Sequence, residues 1–182
     1  MKKKYLFLVV LGCFALLLTG CGNDQEQDVA SDNNNSNQTE EKGLNSSEDS
    51  SEEKTMVCRN SASQSNMATD LTYTVRYKGE DVTSVKSVET IKSDDTDLLE
   101  AYREQVEAIY EPYKGIEYYE YQVEVEGDLL TSTVNIDYEH IDTDKLIDVD
   151  SSNATLIKDG KVSIDDIESL YEQVGATCKR DR

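Results

Sequence analysis

The chain has 182 residues, with 18 lysines and arginines against 38 aspartates and glutamates, a formal net charge of −20. A surface this acidic argues against nucleic acid, whose phosphates require a basic face, and against lying flat on anionic lipid. Solubility and mutual repulsion explain the charge; attraction of cations is the functional alternative.

Lys2, Lys3 and Lys4 precede a continuous apolar run from Leu6 to Leu18. A positive start, a short apolar core and small residues before a cut are the marks of a secretory signal. Thirteen positions in the run fall short of the ~20 residues a membrane-spanning helix needs. The run ends in Leu18-Thr19-Gly20-Cys21, which resembles the lipobox of bacterial lipoproteins. That resemblance implies cleavage before Cys21 and a diacylglyceryl group on its thiol. A retained signal-anchor helix and an ordinary cleaved signal are the competing readings. Two acyl chains anchor a protein where one does not, so the expected location is the cell membrane, lipid-anchored and facing the extracytoplasmic side. Without residues 1–20 the chain carries 15 basic against 38 acidic residues, a net of −23.

Of four cysteines, Cys13 leaves with the signal and Cys21 takes lipid. Cys58 and Cys178 remain, and in an oxidising exterior two leftover cysteines are most simply a disulfide. A metal site or a redox pair is disfavoured by the absence of CxxC spacing and by His140 being the single histidine.

Residues 21–55 are expected to be a lipid-anchored disordered acidic linker. Past Cys21 they carry ten acids and only Val29, Ala30 and Leu44 as apolar residues, too little to offset chain entropy by burial. Residues 56–182 are the expected domain, a size suited to one core. Tryptophan is absent and both phenylalanines (Phe7, Phe14) lie in the leader, so ten tyrosines are the domain's aromatics. Tyrosine packs at core edges with its hydroxyl bonded or wet.

Within the domain, Leu71, Tyr73, Val75 and Tyr77 alternate with polar residues, as in a half-buried strand. Lys78-Gly79-Glu80-Asp81 turns, and the β-branched run Val82 to Ile91 returns. Ser93 is expected to cap a helix with an acidic first turn and an apolar face of Leu98, Tyr102, Val106, Ile109 and Tyr113. Pro112 and Gly115 mark its exit. A second hairpin pairs Tyr119, Tyr121, Val123 and Val125 with Leu130, Val134, Ile136 and Tyr138 about Gly127-Asp128. Ser163-x-x-Asp166 reads as a capping box ahead of a helix burying Ile164, Ile167, Leu170, Tyr171 and Val174, which Gly175 ends. The order β-β-α-β-β-α predicts an α+β two-layer sandwich, an antiparallel sheet with helices on one face.

The first hairpin, Leu71-Thr72-Tyr73-Thr74-Val75-Arg76-Tyr77-Lys78-Gly79-Glu80-Asp81-Val82, resembles that of the YehR-like bacterial lipoproteins. So do Tyr113-Lys114-Gly115, Val134-Asn135-Ile136-Asp137-Tyr138 and the closing Val174-Gly175-Ala176-Thr177-Cys178-Lys179. These are short lipoproteins carrying a domain of unknown function. The resemblance implies an extracytoplasmic two-layer α/β domain and brings no catalytic residues; the disulfide rests on the cysteine count.

An enzyme would need a nucleophile, a base and an orienting group. His140 closes a predicted strand, and no GxSxG, HExxH or glycine-rich phosphate loop occurs. The expectation is therefore no enzyme and no cofactor. Asp148, Asp150, Ser152 and Asp159 match four positions of a calcium-loop register, but Asn153 stands where the turn needs Gly, and Asp159 where a bidentate Glu is usual; a solvated acidic loop is the other reading. Tyr118 should face away from Tyr119 and Tyr121, on the sheet surface that helices leave open. There it could meet a protein or glycan of the envelope, or be ordinary strand filler. The sequence thus favours a non-enzymatic, membrane-anchored binding module for an envelope component or protein partner. A small-ligand or Ca²⁺ receptor and a purely structural lipoprotein stand as alternatives.

Overall fold

The computed structural model describes residues 52–64 and 66–181; the leader, Cys21 and the expected linker up to residue 51 lie outside them. Six strands pair antiparallel, from Tyr119–Glu126 (β4) at one edge through Leu129–Asp137 (β5), Asp81–Ser93 (β3), Met67–Lys78 (β2) and Glu53–Gln64 (β1) to Thr177–Arg180 (β8) at the other. A separate small hairpin joins β6 (Ile157–Lys158) to β7 (Lys161–Val162). The helices are α1 (Thr96–Tyr110), α2 (Thr143–Val149) and α3 (Ile164–Gln173).

Side chains alternate across a strand, so residues in register share a face. One register row runs Arg180, Met56, Val75, Val85, Ile136, Tyr119, and the next runs Cys178, Cys58, Tyr73, Ser87, Val134, Tyr121. These rows supply most of the strands' share of the larger core cluster, together with Ile164, Ile167 and Tyr171 of α3 and Leu146 of α2. Leu99 of α1 completes a second cluster with Met67, Ile91 and Leu130 on the same sheet face. Between the clusters the row Asn60, Leu71, Glu89, Ser132, Val123 is more polar, and burial raises the Glu89 carboxyl above its ordinary value.

Both predicted hairpins form with two-residue turns, Gly79-Glu80 and Gly127-Asp128, and Gly79 and Gly127 take the positive φ such turns need. The tyrosines lie deeper than the expected core edge. Tyr73 stacks on Tyr171 with centroids 3.8 Å apart, both rings buried, and Tyr113 stacks on Tyr119 at 4.8 Å.

Several expectations need correction. The cap of α1 is Asp95, whose carboxylate accepts from Leu98 N at 3.0 Å. Ser93 is buried at the end of β3 and its hydroxyl accepts from Asp95 N instead. The most deeply buried residue of α1 is Leu99, one place beyond the expected Leu98. Ser163 caps α3 as expected, bonding Asp165 N, but Asp166 completes no box and takes Lys158 Nζ at 2.7 Å. β1, β8, α2 and the small hairpin were not foreseen, and β1 begins at Glu53, inside the stretch read as linker.

Cys58 and Cys178 form a disulfide at directly opposed positions of β1 and β8. Its closed loop spans a sequence separation of 120 residues, for which the chain-entropy argument gives ~4–5 kcal/mol. Denaturant unfolding of the Cys58→Ser/Cys178→Ser protein, set against the oxidised wild type, should show a loss of about that size.

Burial pushes the Tyr138 phenol up to about 12 and raises Tyr73, Tyr119 and Tyr171 as well. Tyrosines of the unfolded chain ionise near ~10, so the folded state holds these protons longer. The stability they confer is complete below that value and is lost progressively above it, the Tyr138 share by about 12. Denaturation midpoints followed together with phenolate absorbance should fall steeply within that window and be flat just below it.

Candidate functional site

The face opposite the core is polar, and its cations and carboxylates favour different strands, with Glu53 of β1 and Asp70 of β2 as exceptions. β1, β2, β3 and β8 present Arg59, Arg76, Lys86, Lys92 and Lys179, whereas edge strand β4 presents Glu120, Gln122, Glu124 and Glu126. Where the halves meet, at the Glu53 end of β1, an open depression of about 480 Å³ is lined by Arg76, Ser84, Lys86, Asn135, Asp137 and Glu120, with Tyr118 and Glu139 at one side.

Three local features shape this depression. A register shift between Arg76 and Tyr77 leaves Thr83 as an extra residue in β3, a bulge of the kind that re-aims neighbouring side chains. The Thr83 hydroxyl donates to Glu53 Oε1 at 3.2 Å, and Thr83 O accepts from Tyr138 N at 2.8 Å. Glu53 also faces Arg76 at 4.0 Å, and Lys78 pairs with Glu139 at 2.8 Å. Lastly, Tyr118 stands at φ +68, a left-handed conformation costly for a bulky residue. Its carbonyl accepts from Asp137 N at 3.0 Å, and the residue is 44% exposed.

His140 comes back beside this ring, with centroids 5.2 Å apart. Its Nδ1 lies 2.8 Å from Asp137 Oδ2, and the pair is solvent-exposed. Sequence reasoning had singled out Tyr118 and His140 separately; the structure brings them together through Asp137. It missed Arg76, Lys86, Glu120 and Asp137, whose signal is outward charge at alternate positions of adjacent strands. Tyr119 and Tyr121 point to the core side, as expected, in register with Ile136 and Val134.

The calcium-loop register does not form a loop. Asp148 lies in α2, and Ser151–Thr155 is a 3-10 turn in which Asp150 accepts from Ser152 N at 2.9 Å. Asn153 is buried and donates to Leu146 O at 2.8 Å. Among the described residues no three His, Cys, Asp or Glu side chains gather in a metal-holding group. Among the same residues no helix is long and apolar enough to cross a membrane. Cys21, the expected lipidation site, lies outside them.

The described residues form an antiparallel six-stranded sheet with three helices, one sheet face buried and the other carrying a charged depression edged by Tyr118. A family profile described as "Protein of unknown function (DUF1307)" matches residues 59–177, and the chain belongs to that family. It is similar to the YehR protein of Escherichia coli, solved by NMR, with 20% identity, coverage of 70% of this chain and 91% of that one, and a TM-score of 0.48. It is also similar to a protein of Streptococcus pneumoniae TIGR4 solved by NMR, with 16% identity, coverage of 88% and 100%, and a TM-score of 0.45. No curated protein matches the chain.

The strain at Tyr118 gives a test of whether its ring is kept for use. Removing a left-handed non-glycine residue releases about 1 kcal/mol or more, partly offset by glycine's greater unfolded freedom. Tyr118→Gly is expected to match or exceed wild-type stability by up to ~1 kcal/mol in denaturant melts, whereas Tyr118→Ala keeps the strain and gains nothing.

Proposed function

We propose that the chain is a membrane-anchored extracytoplasmic lipoprotein, held through lipid on Cys21, whose domain is a non-enzymatic binding module for an envelope component. In this reading the fold is a two-layer sandwich: the helices occupy one sheet face, and the other is left as the working surface. The observation that carries the reading is Tyr118, an exposed aromatic held in a strained backbone conformation at the side of a depression lined by both signs of charge. Strain of this kind persists where surrounding structure enforces it, and it clusters at ligand sites. A tyrosine ring with a polar tip suits a sugar face or a peptide.

The anchor and the site are tested in one experiment. Wild-type cells should hold the protein in the membrane fraction, and Cys21→Ala should move it to the soluble extracytoplasmic fraction. The intact protein, immobilised, should retain a component of envelope extracts, and Tyr118→Ala should weaken that retention about tenfold or more, as loss of an aromatic anchor does. Failure to retain any component at any salt concentration overturns the reading.

A further inference from the structure

The sheet register arranges four of the depression's charges in two neighbouring rungs; Glu53, which faces Arg76, and Glu139, which pairs with Lys78, lie outside them. The first crosses the strands as Arg76, Ser84, Asp137 and then Tyr118. The second crosses as Thr74, Lys86, Asn135, Glu120. In each rung a cation and a carboxylate are separated by one short hydrogen-bonding residue, Ser84 or Asn135. Both rungs run in the same sense, cation toward β2 and β3, carboxylate toward β5 and β4. Two strand spacings of ~4.8 Å place the backbones of each charged pair ~10 Å apart, too far for a direct ion pair.

Most of these charges are open to a ligand; Asp137 already accepts from Glu139 N at 3.0 Å and lies 2.8 Å from His140 Nδ1, which leaves Glu120 the freer carboxylate. Lys86 has no ion-pair partner among the described residues, and Arg76 stands 4.0 Å from Glu53, a loose pair. Arg76, Lys86, Glu120 and Tyr118 are exposed, and Ser84, Asn135 and Asp137 are half-buried.

From this we infer that the depression recognises a short zwitterionic peptide, its carboxylate on Arg76 and Lys86 and its ammonium on Asp137 and Glu120. This identifies the ligand class of the site proposed above and rests on that reading. An extended chain advances ~3.3–3.6 Å per residue, so ~10 Å matches a peptide of about three residues. The Ser84 hydroxyl and Asn135 amide lie under its middle, where they can bond peptide N–H and C=O groups. A polyanion fits less well, since the carboxylates of β4 and the net charge of −20 would repel it. An uncharged glycan would leave both charged flanks unused.

The test is a calorimetric titration of the intact protein in detergent with trialanine, N-acetyl-trialanine and trialanine amide, and with soluble stem peptides released from peptidoglycan. Free trialanine should bind, and either cap should weaken it about fivefold or more, the scale of losing one charge-assisted contact. Arg76→Gln/Lys86→Gln should weaken trialanine by a similar factor and remove the distinction between the free acid and the amide. Glu120→Gln should reduce the distinction between the free amine and the acetylated form. Each variant should melt within a degree or two of wild type, and added salt should weaken binding. Much tighter binding of the stem peptides assigns the ligand to the wall, and equal binding assigns it to free peptides; both support the proposal. Capped and free peptides binding alike, or no peptide binding at low salt, overturns it. If envelope extracts are still retained in a Tyr118-dependent way, the peptide proposal fails and the binding-module reading stands; if nothing is retained, both fail.

Discussion

The arrangement depends on the pairing of β1 on both of its sides. Twelve residues of β1 face β2, and Met56 to Arg59 also face β8, with the Cys58–Cys178 bond fixing that second register. A slip of one residue would turn Met56 and Cys58 from the core face to the open one. The same slip would carry Arg59 from the open face into the core. The covalent bond therefore holds the alternation in register as well as closing the chain. The last strand is short, and it is reinforced by Arg180, which bonds Asp165 at 2.6 Å and also Glu168 of α3.

A fixed register lets one sheet carry two chemistries. Its inner side is mostly apolar, the row from Asn60 to Val123 excepted, with paired tyrosine rings taking the place of phenylalanine and tryptophan. Stacking Tyr73 on Tyr171 buries both rings face to face, and burial then holds their phenols protonated. On the outer side the same strands display threonine, serine, lysine and arginine, and β4 displays glutamate. Each strand thus encodes core packing at one parity and the surface charge pattern at the other.

What the sequence made legible follows from that parity. Strands with clean alternation (Leu71 to Tyr77, Tyr119 to Val125) and helices with three-and-four spacing could be read, as could the hairpin glycines. β1 could not, because Ser61, Ala62, Ser63 and Gln64 look like linker, and its strand character comes from its two neighbours. β8 is four residues long and exists through pairing with β1. At the site, Tyr118 and His140 stood out as residue types, but their proximity depends on the β4–β5 register and the turn after Asp137. Charge sorting over the open face was equally hidden, since it becomes visible only when strands distant in sequence are laid side by side.

The position of Glu53 has a mechanical consequence. It is the first residue of β1 and also lines the depression, so whatever precedes it in the chain joins the sheet at the edge of the site. Tension between that chain and a captive in the depression would enter through β1 and pass to β2, β3, β5 and β4, the strands that line it. Directed along the strand, it would act in shear on all twelve β1–β2 register positions together, whereas peeling would break them one at a time. The helices would lie outside that line of force, and a tug on the domain could be resisted without disturbing the core beneath it.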